Sequence, residues 1–458
     1  MMELRERLRL WVVAQGLCAL TIATDLVPPR YRFGHWNRLL GVLSPAYDLP
    51  RLSLDDRLPA PTTKWSSAPA RARLSCLIVA GDLDAGGIES MVASLARGLP
   101  SQGVDVEVVA TAGGRTEAQL RAEGVRVRVL PAHGIAAHID EIRPDVIQVH
   151  RVDPDLMSAV VAFADRVVPV FHAMESYLTR AVWEQLSALT ARAPACAAVS
   201  ASVRDYFARR IGASAHVIVN GVAPVAEDTA LDRLRSRERI GRVIRTQLDQ
   251  ETVLVLALQR YSDQKNTAGL VDAFLEASEY DDRLILVVAG APNSWLEYRR
   301  ADIRRRRHPN GDRVFLLGDS DAHGLLSGAD VFALDSFSEG GPIVAVEAAA
   351  HDLPVVLTDV GFARELARAS TSRVTVVDRP NVDVGQRAMA RERRRARQSN
   401  RSAFARALLS QVADRPRQRR AGVPAGFTEE DMVAGHAALL RAAVASRGAV
   451  ATTAQDLR

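Results

Sequence analysis

"LSCLIVAGDLDAGGIESMVASLARGL", residues 74 to 99, sets a mostly apolar run, a glycine-bearing turn and an amphipathic stretch in succession. The first eight residues, closed by Gly81, read as a buried strand, and "IESMVASLARGL" repeats its apolar residues at helical spacing. Strand, turn and helix make half of a βαβ unit, so the rhythm should recur with parallel strands. It does: "VDVEVVAT" (104–111), "VRVRVL" (125–130), "DVIQVH" (145–150), "VVPVFH" (167–172), "CAAVS" (196–200) and "HVIVN" (216–220) continue the series.

After a charged helical stretch, "EDTALDRLRSRERIGRVIRTQLDQ" (227–250), a second series begins with "TVLVLALQ" (252–259). It runs through "RLILVVAG" (283–290), "RVFLLG" (313–318), "DVFALDS" (330–336), "LPVVLTD" (353–359) and "RVTVVD" (373–378). Two doubly wound α/β domains in tandem are expected. Such sheets present ligand groups at the carboxyl ends of their strands. Those ends here include Gly81, His150, His172, Ser200, Asn220, Arg260, Gly290, Gly318 and Ser336, and imply two sheet edges facing a common cleft.

The 458 residues, 48% apolar and 25% charged, suit a globular protein of two or three domains. Cys18, Cys76 and Cys196 lie far apart without a Cys-x-x-Cys spacing, which fits a reducing, cytoplasmic compartment. The net charge of +5 is local in origin. Six arginines fall within residues 299 to 307, and "RAMARERRRARQSNRSAFAR" (387–406) holds eight with one acid. Such runs read as a solvated helix face or as attraction to anionic lipid. Neither aromatic interleaving nor a nucleic-acid motif accompanies them, so no nucleic-acid partner is expected. No stretch approaches the ~20 apolar residues of a membrane span. "LWVVAQGLCALTIA" (10–23) reads instead as a short helix packed on the protein or lying on a membrane surface.

Three turns could carry chemistry. In "GDLDAGGIES" (81–90), Gly86 and Gly87 permit close approach of a ligand, and the free N–H groups of the helix start favour anions or hydroxyls. "ALQRYSDQKNTAGLVDAF" (257–274) occupies the same place in the second series, where Arg260 and Lys265 beside a helix start would clamp a phosphate. Of 59 basic residues only Lys64 and Lys265 are lysine, so a lysine at this turn stands out. In "SFSEGGPIVAVEAAA" (336–350), Glu339 and Glu347 interrupt a small, apolar run. A buried carboxylate without a partner costs several kcal/mol, so each must be a surface residue or face something that needs it. Pro342 fits the first helical position, which puts Glu339 in the loop and Glu347 in the second turn. With the Gly340 and Gly341 N–H groups between them, the two carboxylates could accept the hydroxyls of a sugar. His172, in "VVPVFHAMESY" (167–177), and His150 end strands, where a lone histidine is more often structural than catalytic. No spacing of His, Cys, Asp and Glu makes a metal site, and no Gly-x-Ser-x-Gly elbow is present.

From about 74 to 447 the chain resembles the family 4 glycosyltransferases, retaining enzymes of the GT-B fold with two Rossmann-like domains. The resemblance is carried by "DSFSEGGPIVAVEAAAHDLPVVLTDVGFARE" (335–365), with its Glu, seven residues, Glu spacing before a Pro-Val-Val strand. "AGGIES", "AAVSASVRDYF" (197–207), "VIVNGV" (217–222), "QRYSDQK" and "GFTEEDMVAGHAALLRA" support it in order and spacing. Residues 1–73, outside the match and punctuated by Pro, Ser and Asp, read as an N-terminal extension and linker. The resemblance implies an acceptor domain over 74–226, a nucleotide-sugar donor domain over 227–427, and a returning helix and tail over 428–458.

By this resemblance Arg260 and Lys265 bind the donor diphosphate. Glu339 with Gly340 and Gly341 holds the sugar, Glu347 the ribose. Gly86 and Gly87 approach the diphosphate and His172 the reaction centre. The implied reaction is hexosyl transfer from a nucleotide-diphosphate sugar to a carbohydrate or lipid-linked acceptor in cell-surface polysaccharide or glycolipid synthesis. It would need no metal or other cofactor. Separately, the cysteine usage points to the cytoplasm, and the 10–23 stretch with the arginine runs to peripheral association with the inner face of an anionic membrane. Gln259 stands where the family usually has glycine before the arginine, and Asn266 where glycine is frequent. The rival readings are a nucleotide-sugar epimerase of the same fold, a non-catalytic binding protein on it and, more remotely, a dehydrogenase, whose glycine pattern neither turn carries.

Overall fold

The computed structural model describes residues 4–25, 49–53, 63, 65, 74–84, 86–370, 374–380, 385–416 and 418–456. The chain forms two compact units. Among the described residues, one contains a seven-stranded sheet of β1 (Leu74–Asp82), β2 (Val104–Ala112), β3 (Arg126–Val129), β4 (Val146–Val149), β5 (Val167–Phe171), β6 (Ala197–Ala198) and β7 (His216–Val217), in the order β3-β2-β1-β4-β5-β6-β7. The other contains a six-stranded sheet of β8 (Val253–Leu258), β9 (Leu284–Ala289), β10 (Val314–Leu317), β11 (Val331–Leu334), β12 (Val355–Thr358) and β13 (Val374–Val377), ordered β10-β9-β8-β11-β12-β13. The strand pairings within both sheets are parallel.

Parallel strands covered on both faces need apolar side chains at consecutive positions rather than alternate ones. β8 shows this: all six residues of "VLVLAL" are buried. Val253, Val255 and Ala257 pack with Leu270 and Phe274 of the following helix, Thr267–Ala277, and with Leu284, Leu286 and Val288 of β9. Each fully buried aliphatic side chain of this kind contributes roughly 1.5–3 kcal/mol. In both sheets the chain builds outward through three strands and then returns to set the fourth beside the first. At such a reversal the loops leaving the two adjacent strands diverge and open a crevice beyond their carboxyl ends. The reversals are β1 against β4 and β8 against β11, so the loops after these four strands define where ligands can sit.

Local chemistry sets the helix ends. Thr229 and Asp232 form a reciprocal capping box at the start of helix Ala230–Ile244. Ser200 caps Ala201–Ile211, which stops at Gly212 with φ of 69°. The final helix, Glu429–Asp456, belongs with the first sheet, and its start is fixed by a parallel bridge between Val222 and Thr428.

The described parts of the segment ahead of β1 are packed, and its helix takes the first of the two places expected for it, on the protein. Helix Leu4–Asp25 is longer than the 10–23 stretch suggested and corrects the expectation that no stretch approaches a span: by length and composition alone its Leu8–Asp25 part could cross a membrane. It packs instead on the second unit, where Leu10 and Leu17 cluster with Leu296 and Ile303 of helix Trp295–Arg306. The Pro50 and Leu52 carbonyls accept from the Gly318 and Asp321 amides at 2.9 and 3.0 Å. Residues 26 to 48 and most of 54 to 73 lie outside the described residues.

The arginine runs are likewise not wholly a solvated face. Arg393 is buried, donating to Asp25 Oδ1 at 2.9 Å and Glu297 Oε1 at 2.6 Å, while Arg300 donates to Glu297 Oε2 at 2.8 Å. Burial alone would disfavour the Arg393 charge, and these carboxylates hold its pKa above the ordinary value. The run therefore divides between inward arginines that fasten the N-terminal helix and outward ones that reach solvent.

Candidate active site

The second sheet supplies the charged groups. β8 ends at Leu258, and the turn beyond it carries exposed Arg260 and, in a short 3₁₀ turn Asp263–Lys265, half-buried Lys265. β11 ends at Leu334, and its loop carries Glu339 before helix Ile343–Ala350. Because β8 and β11 are neighbours, the two loops meet. The Phe337 amide donates to the Gln264 carbonyl at 2.8 Å, and Lys265 Nζ lies 2.5 Å from Glu339 Oε1. Ser336 Oγ donates to the same oxygen at 2.8 Å. Lys265 and Glu339, 74 residues apart, thus form a shielded pair with side-chain exposures of 16% and 11%. Such a pair can exchange its partner for an incoming phosphate without leaving either charge stranded, since a phosphate offers Lys265 a better acceptor and a hydroxyl offers Glu339 a donor.

Glu347 lies in the second turn of Ile343–Ala350, half-buried, as its spacing predicts. The helix begins one residue after Pro342, so the proline precedes its first turn rather than opening it. Gly340 is buried and Gly341 half-buried between Glu339 and that helix.

The first unit contributes a different set. Gly86 precedes helix Gly87–Gly98, whose first turn has no side-chain cap, and its carbonyl accepts from the Ser90 amide at 2.9 Å. His150 and His172 follow β4 and β5 directly and are joined, His150 Nδ1 to His172 Nε2, at 3.1 Å. The contact continues inward. His150 Nε2 meets Gln148 Oε1 at 3.1 Å, and Gln148 Nε2 meets His436 Nδ1 of the final helix at 2.8 Å. Gln148, His150 and His436 are at most 1% exposed. Burial holds the His172 pKa down to about 4 and that of His436 to about 3, and depresses His150 as well, so all three are neutral near pH 7. Gln148 has one donor end and one acceptor end. As its amide is oriented, His150 gives its proton to Gln148 and accepts from His172, which leaves His172 Nδ1 as an acceptor; with the amide turned over, every bond in the chain reverses. His436 Nε2 has no hydrogen-bond partner.

Two family models match the chain: Glycosyltransferase Family 4 over residues 85–225 and Glycosyl transferases group 1 over residues 243–391. The chain belongs to the family 4 glycosyltransferases. Solved structures agree on the fold. A glycosyltransferase from Rickettsia africae matches with a TM-score of 0.61 at 16% identity, over 82% of this chain and 99% of that one. Anabaena HepE in complex with UDP and glucose matches with a TM-score of 0.57 at 17% identity, over 81% and 100%. WaaG, a glycosyltransferase of lipopolysaccharide biosynthesis, gives 0.54 at 15% identity, over 80% and 99%. No curated protein matches. The transferase has the GT-B fold, a parallel Rossmann-like sheet in each unit.

Both departures at the phosphate turn acquire physical reasons. Asn266 takes the left-handed conformation with φ of 47°, the region that favours glycine, and uses its side chain there. Its Nδ2 donates to Asp335 Oδ2 at 2.9 Å and to Gln398 Oε1 at 2.8 Å, while Gln398 Nε2 donates back to Asn266 Oδ1 at 2.8 Å. Asn400 donates to Asp335 Oδ1 at 2.8 Å. The arginine-rich segment therefore ends in two amides that lock the turn from behind. Burial raises the Asp335 pKa to about 7 against the pull of these two asparagines. Gln259 is buried and donates to Thr267 Oγ1 at 3.0 Å, directed at the helix start, with its Oε1 unpartnered.

Sequence reasoning missed Gln148, His436, Asp335 and Glu175. The signal for His436 is a lone histidine in the apolar "MVAGHAALL"; it is 0% exposed. Glu175, three residues beyond His172, is raised to about 7 by burial. Both buried cysteines, Cys76 and Cys196, are pushed up to about 12 by burial, which makes them poor nucleophiles.

Proposed function

We propose that this transferase moves a hexosyl group from a nucleotide-diphosphate sugar to an acceptor hydroxyl with retention of anomeric configuration. The observation that carries the proposal is the Lys265–Glu339 pair at the switch point of the second sheet. Lys265 and Arg260 would take the diphosphate and offset the charge that grows on it as the glycosidic bond breaks. Glu339, with the Gly340 and Gly341 amides, would hold the sugar hydroxyls, and Glu347 the ribose. Gly86 and Gly87 would face the diphosphate, and His172, fixed in one tautomer by His150, would touch the sugar. Catalysis of this kind rests on positioning and on stabilising the leaving group. With two cations available for that charge, the reading requires no metal or other cofactor.

Anabaena HepE is described with UDP and with UDP-glucose, which supports a UDP-sugar as the first donor to try. The acceptor would be a carbohydrate or lipid-linked glycan of a cell-surface polymer or glycolipid, used in the cytoplasm at the membrane. Incubation with UDP-sugars, following free UDP and the anomeric proton of the product by NMR, tests the reading. Acceptor-dependent UDP with retained configuration is expected; an inverted product overturns the stereochemistry. An isomerised sugar nucleotide without acceptor would establish the epimerase instead.

A further inference from the structure

Helix Leu4–Asp25 is apolar on two sides, and only one is covered. Leu10 and Leu17 face the protein, buried against Leu296 and Ile303. At about 100° per residue, Leu8, Trp11, Val12, Ala19 and Ile22 fall together on the opposite side, around a single exposed polar residue, Gln15. There they are open to solvent: Leu8 63%, Trp11 51%, Val12 56% and Ile22 41% exposed, with Ala19 also exposed. Large side chains exposed in one contiguous stripe mark an interaction surface rather than the scatter of single residues found on any protein.

The charge around the stripe selects the occupant. Arg5 and Arg9 on the same helix are exposed, with one acid, Glu6, between them, as are Arg306 at the end of helix Trp295–Arg306, Arg391 of helix Gln386–Arg394 and Arg395 just after it. These are the two helices on which the N-terminal helix packs. An apolar stripe with a tryptophan, flanked on its own helix by Arg5 and Arg9 and with further exposed arginines on the helices beneath it, matches the acyl and headgroup layers of an anionic bilayer. It suits a second copy of this chain poorly, because like charges would meet around the contact. Crossing the bilayer is also disfavoured. The inner side of the helix is committed to the protein through Leu10, Leu17 and the buried Asp25–Arg393–Glu297 ion pairs, which a spanning helix would have to break.

We infer that the outward stripe of the N-terminal helix lies flat in the headgroup layer of an anionic membrane and so anchors the unit that carries Lys265 and Glu339. The inference deepens the proposed lipid-linked acceptor and rests on that reading for its purpose, although its measurement needs neither donor nor acceptor. Flotation with phosphatidylcholine vesicles, with and without phosphatidylglycerol, should show binding to the anionic vesicles that weakens with salt. Tryptophan emission should shift to the blue on binding, and Trp11→Phe should remove most of that shift. The combined Leu8→Asp, Trp11→Asp, Val12→Asp variant should bind roughly tenfold or more weakly, because apolar contact area sets such binding. Its circular dichroism, and UDP release with a water-soluble acceptor, should stay as in the parent protein. Equal vesicle binding by parent and variant, or no binding by the parent, overturns the inference, as does a parent dimer that the variant converts to a monomer. Failure of the transferase reading would appear in UDP release alone and leave vesicle binding unchanged.

Discussion

At the carboxyl edge of the first sheet, behind an exposed Arg151–Asp82 ion pair, half-buried His172 and buried His150 lead into an uncharged chain through Gln148 to His436, whereas at the edge of the second a lysine meets a glutamate in front of a carboxyl clasped by two asparagines. Most of these side chains are shielded from solvent, and the difference lies in what balances their polarity. The histidines have no counter-charge, so burial settles them in the neutral form, and their hydrogen bonds fix tautomers rather than charges. Lys265 and Glu339 supply each other's counter-charge and remain ready for an ionic ligand. On the proposed reading the histidine chain orients and the lysine–glutamate pair binds charge.

The largest effect should come from the charged edge. Lys265→Ala should lower turnover with a saturating UDP-sugar by roughly a hundred- to a thousandfold, as expected when a preorganised group is removed from a developing anion. Turnover equal to the parent would erase the contrast between the edges. His172→Ala should cost about tenfold, the worth of one neutral hydrogen bond in the transition state. If the two losses came out alike, the orienting role would be wrong.

Stability offers the next test. Asn266→Gly restores the residue common at this turn and relieves about 1–2 kcal/mol of left-handed strain. It also strips a donor from the buried Asp335 and leaves Gln398 without its amide partner, each loss costing about 1–3 kcal/mol. The bonds should outweigh the strain, so the melting temperature should fall. A rise would show that the lock behind the turn is ornamental. Gln259→Gly should be the mildest change, within about 1 kcal/mol, because the lost bond to Thr267 is offset by removing a buried oxygen that has no partner.

The two edges should also respond to pH in opposite senses. The histidine pKa values are lowered from 6.5, so between that value and about 3 the unfolded chain binds more protons than the folded one. Their contribution is complete above pH 6.5 and is lost on acidification. Asp335 is raised from 3.8 to about 7, so its contribution is complete below pH 3.8 and is lost as pH climbs through 7. Melting curves from pH 4 to 8 should therefore lose part of their acid-side fall in His436→Gln and part of their neutral-side fall in Asp335→Asn. The same change in both variants would deny the contrast.

Much of this protein follows from its sequence alone. Runs such as "VLVLAL" can be satisfied only by strands covered on both faces, which dictates two parallel sheets. The rule that such sheets present ligand groups at the carboxyl ends of their strands then directs the turns that carry Arg260, Lys265 and Glu339 to the ligand edge before any distance is known. What the sequence could not decide is which buried polar groups find one another. Gln148 and His436 are 288 residues apart, and Asn266 and Gln398 are 132 apart. Pattern and spacing report periodicity within an element, whereas such a bond exists only once two elements have packed. The same holds for the N-terminal helix, whose composition allows it to cross a membrane. Only the tertiary structure turns one apolar side onto Leu296 and Ile303 and leaves the other outward, because only there do Asp25, Arg393 and Glu297 meet and fasten it.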